Sequence, residues 1–176
     1  MAGEKLTKKQ QELVIEIKKI VSLLDIDYQH ITRIEKSQRT IHLQIIKDQM
    51  IRGQIIMYYT LVDDILSGRI CRYYFGEKGD FIKLWKTKRF QLFNHHVIEE
   101  LSLMKKLSFV RAIIAVPKNI TGEIERLNAL RNGVVHAFFP ENLRRFKPLW
   151  KGKNIFTFDG IKSMVEDMEK VFEFFK

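Results

Sequence analysis

The segment from residue 121 to residue 140 reads TGEIERLNALRNGVVHAFFP, and its apolar residues recur at helical spacing. At about 100° per residue, one arc of this helix carries Ile124, Leu127, Leu130, Val134 and Phe138. Thr121 has the chemistry of an N-cap, and the residue before Pro140 is disfavoured in a helix. The sequence therefore predicts an amphipathic helix that begins near Thr121, buries this arc in a core and ends before Pro140.

The same periodicity recurs along most of the chain, whereas glycine, proline and alternating strand-like runs are sparse. Further amphipathic segments are an N-terminal stripe from Leu13 to Leu24, a long segment over about 43–75, one from Val97 to Ile114, and one after Asp159. Connectors over about 76–89 and 141–158 are expected to be irregular. The pattern predicts an all-α fold, an antiparallel bundle of about five main helices.

The sequence also suggests where the long helix is interrupted and how the chain is divided. Gly53 or Gly68 is expected to bend or end the long helix, because glycine is unfavourable in a helix interior. Residues 1–42 are interpreted as an N-terminal helical elaboration, and residues 43–176 as the bundle itself, in one compact domain overall.

Composition narrows the class of protein. The chain has 176 residues and a net charge of +10, which favours encounters with polyanions such as nucleic acid. Its single cysteine, Cys71, leaves no basis for an internal disulfide or a cysteine zinc site. No apolar run is long enough for a membrane span, and the N-terminus has no signal-peptide core. We therefore expect a cytoplasmic protein that contacts no membrane and carries neither a metal nor another cofactor.

Arg131 falls within the apolar arc of the 121–140 helix, where a guanidinium is unfavourable unless an anion meets it. One interpretation is structural, with Asp63 or Asp64 on the long helix as the partner of Arg131. The other is functional, with the charge of Arg131 held in a cleft for a phosphate. Periodicity alone does not decide between them.

The same helix carries a strip of small residues, formed by Ala129, Gly133 and Ala137 at intervals of four. Small side chains let another helix approach closely, and a mid-helix glycine costs about 1 kcal/mol relative to alanine unless packing requires it. The strip is a candidate dimer interface with His136 at its border, and packing within one chain is the equal alternative.

Arg131, Asn132 and His136 form an Arg-x4-His motif with a polar residue directly after the arginine. On these residues, and on the order of helices from about residue 45 to residue 175, the chain resembles the HEPN family. This resemblance implies a homodimeric, metal-independent endoribonuclease, in which His136 is the general acid or base, Arg131 stabilises the scissile phosphate and Asn132 orients either group. It also implies a possible place as the toxin of a toxin–antitoxin or defence system, with an antitoxin protein as a partner.

Basic residues next to this motif are candidates for contacts with RNA phosphates, and they are Arg144, Arg145, Lys147 and Lys151. A further Arg/His combination, Arg89 with His95 and His96, lies outside a well-marked helix and is not preferred. The alternative to a nuclease is a catalytically silent HEPN-like module that binds RNA, a nucleotide or a protein partner.

Overall fold

A computed structural model describes residues 33–76, 81–136 and 148–176 of the chain. It divides into two compact units, residues 1–48 and 49–176. Several predicted features lie outside the described residues: the helix between Leu13 and Leu24, the residues Ala137 and Phe138, and the basic residues Arg144, Arg145 and Lys147.

Helices dominate the described residues, which confirms the all-α prediction. They are joined by one π-helical turn, Asn94–Ile98, and by one antiparallel hairpin. The elements are α1 Lys36–Phe75, α2 Phe81–Leu84, α3 Lys88–Phe93, α4 Leu103–Ile113, α5 Lys118–His136, β1 Leu149–Trp150, β2 Lys153–Asn154 and α6 Phe158–Phe175. None of the helices in the described ranges combines the length and the hydropathy needed to cross a bilayer.

The long helix α1 continues through both Gly53 and Gly68, so neither glycine ends it, and a bend at one of them stays a prediction. It ends at Phe75 because Gly76 adopts a left-handed conformation with φ of 89°. The Gly76 N–H donates to the Arg72 carbonyl at 2.8 Å, and this bond closes the last turn.

The predicted helix from Val97 to Ile114 is interrupted. The π-helical turn ends at Ile98, and α4 begins only at Leu103. Ser102 is extended at this point, and its hydroxyl accepts a hydrogen bond from the Lys105 N–H at 3.4 Å. A serine that caps the next helix therefore restarts what periodicity alone describes as one continuous segment.

Helix α5 begins at Lys118, three residues before the predicted start. The Thr121 N–H donates to the Pro117 carbonyl at 3.0 Å, so Thr121 lies inside the first turn and is buried rather than capping it. Pro117 directly precedes the helix, its carbonyl accepts the first intrahelical hydrogen bond, and its missing N–H is not needed at that position.

The expected irregular connector 141–158 contains an ordered hairpin in its described part. Lys151 and Gly152 both have positive φ, 47° and 83°, as a two-residue hairpin turn requires. Thr157 then caps α6, and Gly160 lies so close to the hairpin that a Cβ atom there would be 2.0 Å from the Asn154 carbonyl oxygen.

The core of the second unit lies between α1, α5, α6 and the hairpin. Its fully buried side chains come from all four elements and include Ile55, Val62, Leu66, Ile124, Leu127, Trp150, Met164, Met168 and Val171. Helix α5 runs antiparallel to α1, since Arg52 contacts Val134 whereas Tyr59 contacts Arg131. This packing sets which side of α5 is left accessible.

Candidate functional site

Helix α5 is held in one rotational position by its buried face. Leu127, Leu130 and Val134 are at most 3% exposed, and Ile124 is fully buried, which confirms these four residues of the predicted core arc. Arg131 follows Leu130 directly and is only partly buried. Its guanidinium therefore lies at the rim of the core, between apolar packing and solvent.

The contacts of Arg131 are with an aromatic ring and an amide. Its guanidinium carbon lies 4.9 Å from the centroid of the Tyr59 ring on α1, a cation–π geometry. Its Nη1 donates to the Asn132 Oδ1 at 3.1 Å. These contacts orient the guanidinium, and in residues 33–76, 81–136 and 148–176 no carboxylate lies within 4.0 Å of it.

The two carboxylates considered as partners of Arg131 are placed elsewhere. Asp63 accepts a hydrogen bond from the buried ammonium of Lys106, with Nζ and Oδ2 2.6 Å apart. Asp64 is exposed and lines a shallow cavity with Arg69 and Arg72. Lys106 on α4 is therefore the buried cation that pairs with Asp63, the role that the structural interpretation gave to Arg131.

Arg52 is a residue of this region that sequence reasoning missed. Its Nη1 donates to the Val134 carbonyl at 2.7 Å, and its guanidinium lies 5.2 Å from the centroid of the Phe156 ring. The last carbonyls of a helix lack intrahelical donors and carry partial negative charge, so a cation stabilises them. Arg52 fixes the C-terminal turn of α5, and no local signal reveals a contact between residues 82 positions apart.

His136 is the last residue of α5, and its side chain lies outside the part of the chain that the structure describes. Its backbone position follows from the helix: five residues after Arg131, it is about 7.5 Å along the axis and about 140° around it. Whether the imidazole and the guanidinium of one chain approach each other therefore stays a prediction, as does the role of Asn132 beyond its bond to Arg131.

Lys151 belongs to an ion-pair cluster rather than to an open basic surface. Its Nζ lies 2.8 Å from the Glu123 Oε1 and 2.6 Å from the Asp167 Oδ2. Hydrogen bonds to Asp167 and then to Glu123 raise the pKa of Lys151 above its ordinary value. Because its charge is matched by two carboxylates, Lys151 has a structural role in this cluster, and its contact with RNA stays a prediction.

Asp167 is the centre of this cluster. It accepts hydrogen bonds from the Trp150 indole N–H at 2.9 Å, from Lys151 and, at 3.0 Å, from Lys170. Burial raises the pKa of Asp167, but the bonds from these three donors outweigh it and hold the pKa at about 2. Arg126 completes the cluster by pairing with Glu123 and lying over the Trp150 ring.

Of the small-residue strip, Ala129 is exposed and Gly133 is partly exposed. Their accessibility is what a contact between two copies requires, but it does not show such a contact, so the dimer interface stays a prediction.

His95 and Glu99 form a pair on the π-helical turn, with Nδ1 and Oε2 2.9 Å apart. Within the described ranges, no group of three or more His, Cys, Asp or Glu residues is placed to hold a metal ion.

In comparisons with known proteins, no family model matches the chain, and no curated protein or solved structure matches it significantly. Its function is therefore inferred from its own residues.

Proposed function

We propose that this protein is a metal-independent endoribonuclease of the HEPN type, with Arg131 and His136 as its catalytic residues. One observation carries the proposal: the Arg131 guanidinium is oriented by Tyr59 and Asn132, remains accessible, and meets no carboxylate among the described residues. An oriented arginine that meets no carboxylate in the described part of a basic protein is suited to bind a phosphate.

The chemistry follows from the two side chains. His136 takes the proton of a ribose 2′-hydroxyl, whose oxygen attacks the adjacent phosphorus atom. The bond from phosphorus to the 5′-oxygen breaks, and that oxygen receives a proton as it leaves. Arg131 stabilises the additional negative charge on the phosphoryl oxygens in the transition state. The products are a 2′,3′-cyclic phosphate and a 5′-hydroxyl, and no metal ion takes part.

The helical positions of the two residues favour a site formed by two chains. Because Arg131 and His136 are about 140° apart on α5, a single copy does not readily direct both groups at one phosphate. Two copies of α5 that meet along Ala129 and Gly133 bring the partner chain close to His136, because both residues lie within about 60° of His136 around the helix and about 160° from Arg131. Isologous contacts of this kind are the commonest in homodimers.

The second candidate function is a catalytically silent module that binds RNA, a nucleotide or a protein partner. The cation–π contact between Arg131 and Tyr59 favours it, since this contact gives the arginine a structural role that needs no reaction. Activity as the toxin of a toxin–antitoxin or defence system belongs to the first candidate only.

Cleavage of RNA in excess EDTA separates the two candidates. We expect the wild type to cleave, and Arg131→Ala and His136→Ala each to lose at least about 100-fold in rate, as expected for a missing acid–base or charge-stabilising group. Arg111→Ala removes an exposed arginine from another helix and is expected to retain activity. Cleavage that persists in both variants, or that needs a metal ion, contradicts the proposal, and binding without cleavage favours the silent module.

A further inference from the structure

Aromatic side chains link the C-terminal end of α1 to α3, to α4 and to Trp85, which directly follows α2. Phe90 is 2% exposed and anchors this group in the core. The connected rings, with centroids 5.1–6.4 Å apart, belong in order to Phe109, Tyr74, Phe93, Phe75, Phe90 and Trp85. Because each ring contacts the next, the members at the surface are held in place by those beneath them.

Four large rings of this group are open to solvent. Trp85 is 50% exposed and Phe109 is 38% exposed, although both contact other rings of the group. Tyr74 is 47% exposed and packs against Tyr73, which is 63% exposed. We call Tyr73, Tyr74, Trp85 and Phe109 the ring surface. Single exposed apolar residues are common on proteins, whereas exposed rings joined in one group indicate a binding surface.

The charges next to Trp85 in the sequence are positive: residues 83–89 contain Lys83, Lys86, Lys88 and Arg89 and no acidic residue. Lys86, Lys88 and Arg89 are exposed, and within the described ranges no carboxylate lies within 4.0 Å of their charged groups. The Arg89 guanidinium lies 5.5 Å from the Phe75 ring centroid, so this cation contacts the aromatic group to which the exposed rings are joined.

We propose that the ring surface binds single-stranded RNA, with bases stacked on the exposed rings and phosphates on Lys86, Lys88 and Arg89. Rings that accept a base face, alternating with unpaired cations, fit a single strand, whereas a duplex keeps its base faces covered. This inference rests on the proposed function for its choice of RNA and adds a binding surface remote from Arg131.

The position of the ring surface suits a substrate that also reaches Arg131. Tyr73 and Tyr74 follow Tyr59 by 14 and 15 residues on α1, which places them about 21–22 Å further along the helix axis. They lie within about 60° of Tyr59 around that axis. A strand of several nucleotides spans this distance, so the ring surface holds RNA while the phosphate near Arg131 is positioned.

The test measures binding without cleavage. A fluorescein-labelled 12-nucleotide RNA with 2′-O-methyl groups has no free 2′-hydroxyl, and its affinity for the full chain is read from anisotropy. We expect Trp85→Ala to weaken binding about tenfold, as the loss of one stacked base does. Phe158→Ala removes a ring that is 77% exposed on α6 and is expected to change nothing.

The cations are tested through the dependence of affinity on salt. Lys86→Gln with Lys88→Gln is expected to lower the slope of log affinity against log salt by about 1.4, since each phosphate contact on a single strand contributes about 0.7. The matched control is Lys162→Gln with Lys176→Gln, which removes the same charge from exposed lysines that each pair with a glutamate. We expect this control to keep the wild-type slope.

Tryptophan fluorescence reports on the ring surface directly. Trp150 is fully buried, so the oligonucleotide is expected to quench the emission of the exposed Trp85, and Trp85→Phe is expected to lose that quenching. Circular dichroism verifies that each variant is folded.

Equal affinity of Trp85→Ala and Phe158→Ala, or of single-stranded and duplex RNA, overturns the proposal. So does binding to phosphatidylserine vesicles without binding to RNA. If the wild type cleaves RNA but the ring variants bind normally, only this inference is wrong. If the oligonucleotide binds at Trp85 but no RNA is cleaved, only the proposed nuclease activity is wrong.

Discussion

Asp167 gives the sharpest quantitative prediction, because its stabilisation depends on pH in a known direction. Its pKa falls from 3.8 to about 2 in the folded protein, and at about 1.36 kcal/mol per unit this shift contributes about 2–3 kcal/mol of stability above pH 5. Because the folded pKa is the lower one, this contribution is present above the unfolded pKa and is lost as pH falls towards 2.

The loss is measurable within an accessible pH range. With pKa values of 3.8 unfolded and about 2 folded, about 1 kcal/mol of the contribution disappears between pH 6 and pH 3. Asp167→Asn removes the titrating group, so the difference in unfolding free energy between wild type and variant is expected to shrink by about that amount over the same range. Urea unfolding followed by circular dichroism at pH 6, 4.5 and 3 gives the values.

Glu166 supplies the control, because it precedes Asp167 on α6 but is 55% exposed in its side chain and lies 3.8 Å from Lys162. Glu166→Gln is expected to be nearly neutral at every pH, as exposed pairs usually are. A gap between wild type and Asp167→Asn that stays constant from pH 6 to pH 3 refutes the ion-pair cluster, and with it the structural role of Lys151.

Two further predictions concern the packing around α5 and α6. Arg52→Ala is expected to lower the unfolding free energy by about 1.5–3 kcal/mol, the usual range for a hydrogen bond from a charged donor. Arg111→Ala is expected to be near neutral in the same urea titration. Equal values for the two variants contradict the role of Arg52 at the end of α5. Gly160→Ala places a Cβ atom against the Asn154 carbonyl and is expected to destabilise the protein by about 1–3 kcal/mol. The Cβ atom of Gly53→Ala meets nothing within 4 Å, and this variant is expected to stabilise the protein by up to about 1 kcal/mol. A melting temperature that moves in the same direction in both variants contradicts the close approach of Gly160 to the hairpin.

If both proposals hold, cleavage and substrate binding involve different parts of α1. Tyr59 orients Arg131 near the middle of the helix, and Tyr73 and Tyr74 extend the accessible surface towards its C-terminal end. A variant at Arg131 is therefore expected to affect cleavage more than binding, and a variant at Trp85 the reverse. This contrast distinguishes a nuclease with a separate substrate-binding surface from a protein that only binds RNA.

Helical periodicity predicted the buried face of α5, the helix of the candidate site, correctly and its start incorrectly. The buried positions from Ile124 to Val134 follow from spacing alone, because the side of a helix that faces a core is set by 3.6 residues per turn. The start of α5 and the interruption before α4 depend instead on Pro117 and Ser102, which act through single local bonds. Such bonds leave no periodic signal.

The sequence determines the net charge of the protein, but it does not predict which charged side chains pair with one another. The net charge of +10 is a property of the sequence, and it points to polyanions before any coordinates exist. The partners of Lys151, Asp63 and Arg52 lie 16 to 82 residues away in the chain. Only the packing of helices decides which of these charges are matched within the protein and which, like that of Arg131, meet no carboxylate among the described residues.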